Sequence, residues 1–161
     1  MDFFPVNWKV VHNSAENNDV IGIIIQDHLR WVPAALSQSG KAMSDTQENK
    51  TCAAVSALNF ARDVGIQDIV LEGDIFQLSS ALWQNQLISH ASLSEGHVIK
   101  DARQLLRSYR RWQISYIHRQ CNVSAWELAK YARTVVDFRV WLEETHAFLL
   151  EAVIKEVINP S

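Results

Sequence analysis

Cysteine is nearly absent: Cys52 and Cys121 are the two in 161 residues, with no Cys-x-x-Cys pair and no histidine at ligand spacing. That argues against a disulfide framework and against a cysteine zinc site, and reads both as reduced, buried thiols. Long apolar runs are also missing. Stretches such as Val20–Ile25 and Phe148–Leu150 fall far short of the roughly 20 residues that a membrane-spanning helix needs. Met1-Asp2 through Pro5 offers no basic n-region, no long apolar h-region and no small-residue cleavage site. No secretory signal is readable, and the expected location is intracellular, cytoplasmic or nuclear, not secreted. There is no excess of basic charge: 15 Lys+Arg against 18 Asp+Glu give a net charge of -3. A nucleic-acid partner must therefore be held by a local patch rather than by the field of the whole chain. What is present, 48% hydrophobic and 20% charged residues without internal repeats, fits one compact domain.

Trp8–Val11 and Val20–Gln26 are β-branched or aromatic, and the polar cluster Asn13–Asp19 separates them, so they read as two antiparallel strands. A third run, Leu29–Leu36, contains Pro33, which places it at an edge or a bulge. Asp45–Val64 changes to helical period, with Ala54, Leu58 and Ala61 on one face and Gly65 as its stop. Asp68–Asp74 reads as a short strand closing on an acidic turn, followed by Ile75, Leu78 and Leu82 at helical spacing. A further amphipathic helix carries Val98, Ala102, Leu105 and Tyr109. Strand residues Trp112–His118 follow, and Asn122 is placed to cap a helix whose apolar stripe is Ala125, Leu128, Ala129, Ala132 and Val135. Trp31, Trp83 and Trp112 lie in separate elements and read as core or sheet-surface aromatics rather than a stacking platform. A mixed sheet flanked by helices is implied.

In open α/β sheets ligands bind outside the carboxyl ends of strands, where Asp74 stands. With that order of elements the sequence resembles the ribonuclease H-like family, and within it the plant reverse-transcriptase-type domain derived from retroelements. The resemblance is carried by Trp8–Ala15, Ala57–Gly65, Ile69–Asp74, Tyr116–Ala125 and Trp141–Leu150. It implies a mixed five-stranded sheet flanked by helices over residues 1–136. The apolar tail 137–161 would be a helical C-terminal appendix packed on the same domain. Active members cut the RNA strand of an RNA:DNA hybrid, with carboxylates holding two Mg²⁺ ions about 3.5–4 Å apart. Carried over position by position, the resemblance places the metal ligands at Asn13, Lys50, Asp74 and Trp126. Only Asp74 retains the chemistry.

A lysine where a carboxylate bridged two cations adds repulsion of several kcal/mol, about 4 per unit charge pair at 4 Å and an effective dielectric of 20. The expectation is therefore a pseudoenzyme without a metal cofactor, with Lys50 paired to Asp74 and Trp126 plugging the pocket. The alternative is an active, Mg²⁺-dependent hybrid ribonuclease in which Glu48 and Glu127 supply the missing carboxylates in a shifted register.

Two surfaces are candidates for partners. Residues 100–120 carry Lys100, Arg103, Arg107, Arg110, Arg111 and Arg119 against Asp101 alone, a local +5. In the resembling fold these arginines and His118 would approach the phosphates of a hybrid or other nucleic acid. The tail holds Trp141, Phe148, Leu149 and Leu150 among acidic residues, and either folds back on the domain or docks on a protein partner or a second copy.

Overall fold

The computed structural model describes residues 3–41, 46–73, 93–118, 122–143, 150–151 and 153–155. Strands β1 (Phe4–Asn13), β2 (Asn18–Ile25) and β3 (Ala34–Lys41) form an antiparallel meander. Helix α1 (Thr46–Asp63) leads to β4 (Asp68–Gly73), and α2 (Leu93–Leu106) to β5 (Arg111–Tyr116). Helix α3 (Val123–Tyr131), a short 3-10 turn at Ala132–Thr134 and β6 (Phe138–Leu142) complete the described elements. Among the described residues no helix is long and apolar enough to cross a membrane.

The sheet has six strands in the order β5-β4-β1-β2-β3-β6, one more than the sequence suggests. The additional strand is β6, which pairs antiparallel with β3, Leu36 opposite Val140. The tail is therefore not wholly a helical appendix: its first segment is an edge strand. Leu150, Glu151 and Val153–Lys155 are helical, and Val153 packs against the cluster around the buried Trp141. The third strand also differs from its reading. It begins after Pro33 rather than containing it, and it is covered by β6, while the Pro33 carbonyl accepts a hydrogen bond from Glu143 N at 2.8 Å.

Side chains alternate across the sheet, so each strand serves two cores. On one face Val6, Trp8, Ile23, Ile25 and Leu36 pack against α1 and α2. Helix α1 approaches closely because it presents Ala53, Ala54, Ala57 and Ala61, all fully buried. Among the described side chains of α2 the buried ones are Ile99, Ala102 and Leu106, a stripe rotated slightly from the one read in the sequence. Tyr109 lies beyond that helix. Its hydroxyl donates to the Leu58 carbonyl, and burial pushes its pKa up to about 12. On the other face α3 and the 3-10 turn after it lay Ala125, Leu128, Ala129 and Ala132 on Val20, Ile24 and Ala35. Gly22 permits that contact, because a Cβ there would stand 2.0 Å from the Ala125 carbonyl oxygen and 2.4 Å from Ala129 N.

Asp68 opens β4, is buried, and is clamped by two guanidinium groups. Arg110 Nε lies 3.0 Å and Arg111 Nε 3.2 Å from its Oδ1, and both arginines also reach Oδ2. These hydrogen bonds hold the carboxyl well below the ordinary carboxylate range. A group depressed on folding contributes stability that is fully present above its unfolded pKa of about 3.9 and is lost as pH falls through the folded value. Urea midpoints measured down to about pH 2 are expected to drop below about pH 4, and Asp68→Asn is expected to flatten that acid limb.

Candidate functional site

The parallel pairing of β1 with β4 sets the site. Val6 stands opposite Leu71 and Asn7 opposite Glu72. One step on, Gly73 lies under the Trp8 indole, so close that a Cβ at Gly73 would meet the ring at 2.0 Å. The next residue of β1 is Lys9. The next residue in sequence after Gly73 is Asp74, which lies outside the described residues, as do Arg119 and Cys121.

Asn13 is not at this level. It ends β1 opposite Asn18, across a turn in which Asn17 adopts a φ of 49°. At about 3.3 Å per residue it stands roughly 17 Å along the strand from Trp8. In this register the residue of β1 one step past the end of β4 is Lys9, whose side chain is buried at 8% exposure. The sequence offered one signal for it, a lysine at the centre of a strand among apolar neighbours.

The start of α3 is pinned to the same part of β1. Asn122 is 1% exposed and makes no side-chain cap bond to its helix, contrary to the sequence reading. Its Nδ2 donates instead to the Trp8 carbonyl at 2.8 Å, and its Oδ1 accepts from Asn7 Nδ2 at 3.4 Å. A tertiary bond replaces the local cap because the Trp8 carbonyl would otherwise face the helix unpaired.

Trp126, one turn further on, is 41% exposed. Its ring lies under the Lys130 ammonium, 3.7 Å from Nζ, a cation–π contact on the surface of α3 rather than an interior plug. Glu127 is held by Lys130 at 3.3 Å. Lys50 sits half-buried in the second turn of α1. The expected Lys50–Asp74 pair and the side chain of Glu48 lie outside the described residues. Among the described residues no three His, Cys, Asp or Glu side chains gather as a metal site.

The basic segment does not form one free patch. Arg110 and Arg111 are both engaged with Asp68, and the Arg111 guanidinium also lies 4.6 Å from the centre of the Phe3 ring. Arg103 is half-buried on α2, and Arg107 and His118 are exposed. His118 meets Tyr116 edge to face, with ring centres 5.7 Å apart. Trp31 is exposed, Trp112 partly so, and Trp83 lies outside the described residues.

Sequence reasoning missed a second group on the α3 face of the sheet. Asn7 and Gln26 are both buried, yet Asn7 Oδ1 and Gln26 Nε2 have no hydrogen-bond partner among the described residues. Each unmade bond of this kind costs about 1–3 kcal/mol. Both side chains line a cavity of about 300 Å³.

Comparison with known proteins accords with this architecture. Among solved structures the chain is similar to RNase H1 from the halophilic archaeon Halobacterium salinarum, with 20% identity over 81% of this chain and 97% of that one, at a TM-score of 0.71. The N-terminal RNase H domain of a Mycobacterium tuberculosis protein matches at 15% identity, 83% and 95% coverage and a TM-score of 0.67. LC11-RNase H1, in complex with an RNA/DNA hybrid, matches at 11% identity, 80% and 94% coverage and a TM-score of 0.68. These likenesses show a ribonuclease H fold. No curated protein matches the chain in sequence. The family model described as reverse transcriptase-like matches residues 7–132, from the strand that carries Lys9 to the helix that carries Trp126, and the chain belongs to that family.

Proposed function

We propose that this chain is a catalytically degenerate ribonuclease H-like domain that binds nucleic acid, an RNA:DNA hybrid first of all, without cutting it. One observation carries the reading: in the register of β1 on β4 the buried Lys9 is the first-strand residue one step past the end of β4, and neither it nor the Asn13 that the resemblance gave is a carboxylate. With Lys50 on α1 and Trp126 on α3, three of the four positions hold no carboxylate. Such a donor set does not fit a pair of hard divalent ions, which take oxygen ligands and need nearby negative charge. The alternative, an active Mg²⁺-dependent ribonuclease using Glu127, is disfavoured because that carboxylate is engaged by Lys130 on the surface of α3.

The fold supports the choice of ligand, since LC11-RNase H1 shares it and is in complex with an RNA/DNA hybrid. Arg107 and His118 are the exposed members of the basic segment, with Arg103 and Arg119 beside them in sequence. We read the domain further as the plant, retroelement-derived type acting inside the cell, on the motifs Ala57–Gly65 and Tyr116–Ala125. A protein partner is the second reading, favoured by the exposed Phe138 and Leu142 on the edge strand β6.

A labelled RNA:DNA hybrid incubated with the protein in Mg²⁺, in Mn²⁺ and in a chelator tests the proposal. The expected result is an intact hybrid retarded equally in all three, with affinity that falls as salt rises. Metal-dependent cleavage overturns the degenerate reading, and absence of retardation overturns nucleic-acid binding.

A further inference from the structure

The cavity of about 300 Å³ lies between β1, the end of β2 and β4, with Pro5, Asn7, Gln26, Arg30, Glu72 and Ile117 among its walls. Asn7 pairs with Ile24, and β2 is continued one residue by Gln26 N donating to the Pro5 carbonyl at 3.1 Å. The two amides are thus diagonal neighbours on one face, about 7–8 Å apart at Cα. One presents an acceptor, Asn7 Oδ1, and the other a donor, Gln26 Nε2, and both lack a partner.

The rim is a preformed turn. Asp27 Oδ1 accepts from Leu29 N at 2.8 Å and Trp31 N at 2.9 Å, and Arg30 holds a φ of 65°. Asp27 Oδ1 is thereby tied to the backbone of its own turn.

We propose that this cavity binds a single nucleobase by its hydrogen-bonding edge. A base carries a donor and an acceptor side by side on one rigid edge, pointing the same way, which is what an acceptor and a donor on neighbouring strands require. An extended peptide residue also offers an N–H and a C=O on one side, but the residues flanking it along the strand exceed a cavity of about 300 Å³. A free phosphate offers acceptors alone and leaves Asn7 Oδ1 unpaired. Pro5 and Ile117 supply apolar walls of the kind that hold a flipped base, and the volume lies at the small end of ligand pockets, where one base with its sugar is held. Neither orphan atom is reached by solvent. Rotation about the last torsions of Asn7 and Gln26, which are broad and soft, turns Oδ1 and Nε2 toward the cavity when a base arrives, Asn7 giving up its long 3.4 Å bond to Asn122.

The site goes beyond the hybrid reading and does not depend on it, because a nucleoside without phosphate is the probe. Titration of ¹⁵N-labelled protein with adenosine, cytidine, guanosine and uridine, followed by NMR, is expected to give saturable shifts of the Gln26 side-chain amide with at least one of them. If uridine binds, N3-methyluridine, which lacks the ring N–H, is expected to bind at least tenfold more weakly. Gln26→Met keeps the length, removes the donor, and is expected to weaken nucleoside binding about tenfold while the protein stays folded. Gln26→Glu, which turns the donor into an acceptor, serves if the methionine variant fails to fold. No saturable shift with any of the four, or binding that the Gln26 variants leave unchanged, overturns the proposal. Failure of the hybrid assay leaves it standing.

Discussion

Gly22→Ala is expected to lower the unfolding free energy by about 3 kcal/mol or more. Ordinary overpacking costs about 1–3 kcal/mol because side chains yield to the intruding atom. At Gly22 the obstacles are backbone: the Ala125 carbonyl oxygen at 2.0 Å and Ala129 N at 2.4 Å. Helix α3 cannot yield locally, since it is tied to the sheet at both flanks. Asn122 holds its start on the Trp8 carbonyl, and the Leu128 carbonyl accepts from the buried Ser37 Oγ at 2.7 Å. The helix must lift as a unit, uncovering Ile24 and Ala35 beneath it. Thermal melting checks this, with Gly40→Ala as the control: its Cβ would meet only the Asp19 carbonyl oxygen at 3.8 Å, so its melting temperature is expected to change little.

The second large effect concerns metal. The triple variant Lys9→Asp, Lys50→Glu, Trp126→Asp, with Asp74 untouched, is expected to take up Mn²⁺ stoichiometrically where the parent chain shows no saturable binding. A lysine at 4 Å repels a divalent ion by about 8 kcal/mol at an effective dielectric of 20, twice the unit-charge value. Replacing it by a carboxylate reverses the sign of that interaction. The comparison that discriminates is Asn13→Asp in place of Lys9→Asp, with the other two changes kept. If the register given by β1 and β4 is correct, this second triple variant binds no metal, because residue 13 stands at the far turn and Lys9 remains. Calorimetric titration of both variants reads the outcome. Equal uptake by the two would return the first-strand position to Asn13 and take Lys9 out of the degenerate reading.

Local features were legible in the sequence, and features set by distant partners were not. The turn between β1 and β2 was plain from Asn13–Asp19, and α1 from its alanines and Gly65, because turn chemistry and helical period are written within a few residues. Strand β6 was missed because Phe138–Leu142 lacks a clean alternation and takes its structure from β3, about 100 residues earlier in the chain. Pro33 suggested an edge on the same local logic, and the pairing of β3 with β6 answered it from outside the segment. Asn122 carried the right residue type for a cap, but its amide is used by the Trp8 carbonyl across the fold. The choice between Asn13 and Lys9 has the same origin. Which residue of β1 lies beside the end of β4 is a property of the pairing register, and nothing within residues 8–15 encodes it.

The position of β6 has a consequence for how the chain is made. During synthesis β3 emerges about 100 residues before the strand that will cover it, so its outer row of N–H and C=O groups stands open while α1, β4, β5 and α3 are still being produced. An open strand edge is a template for pairing with another chain, and partly folded species that expose one are prone to aggregate. The last strand thus replaces an open edge of 8 residues by one of 5. A nascent chain released before residue 138 presents the Ala34–Lys41 edge to its neighbours, and a chain that reaches Leu142 withdraws it.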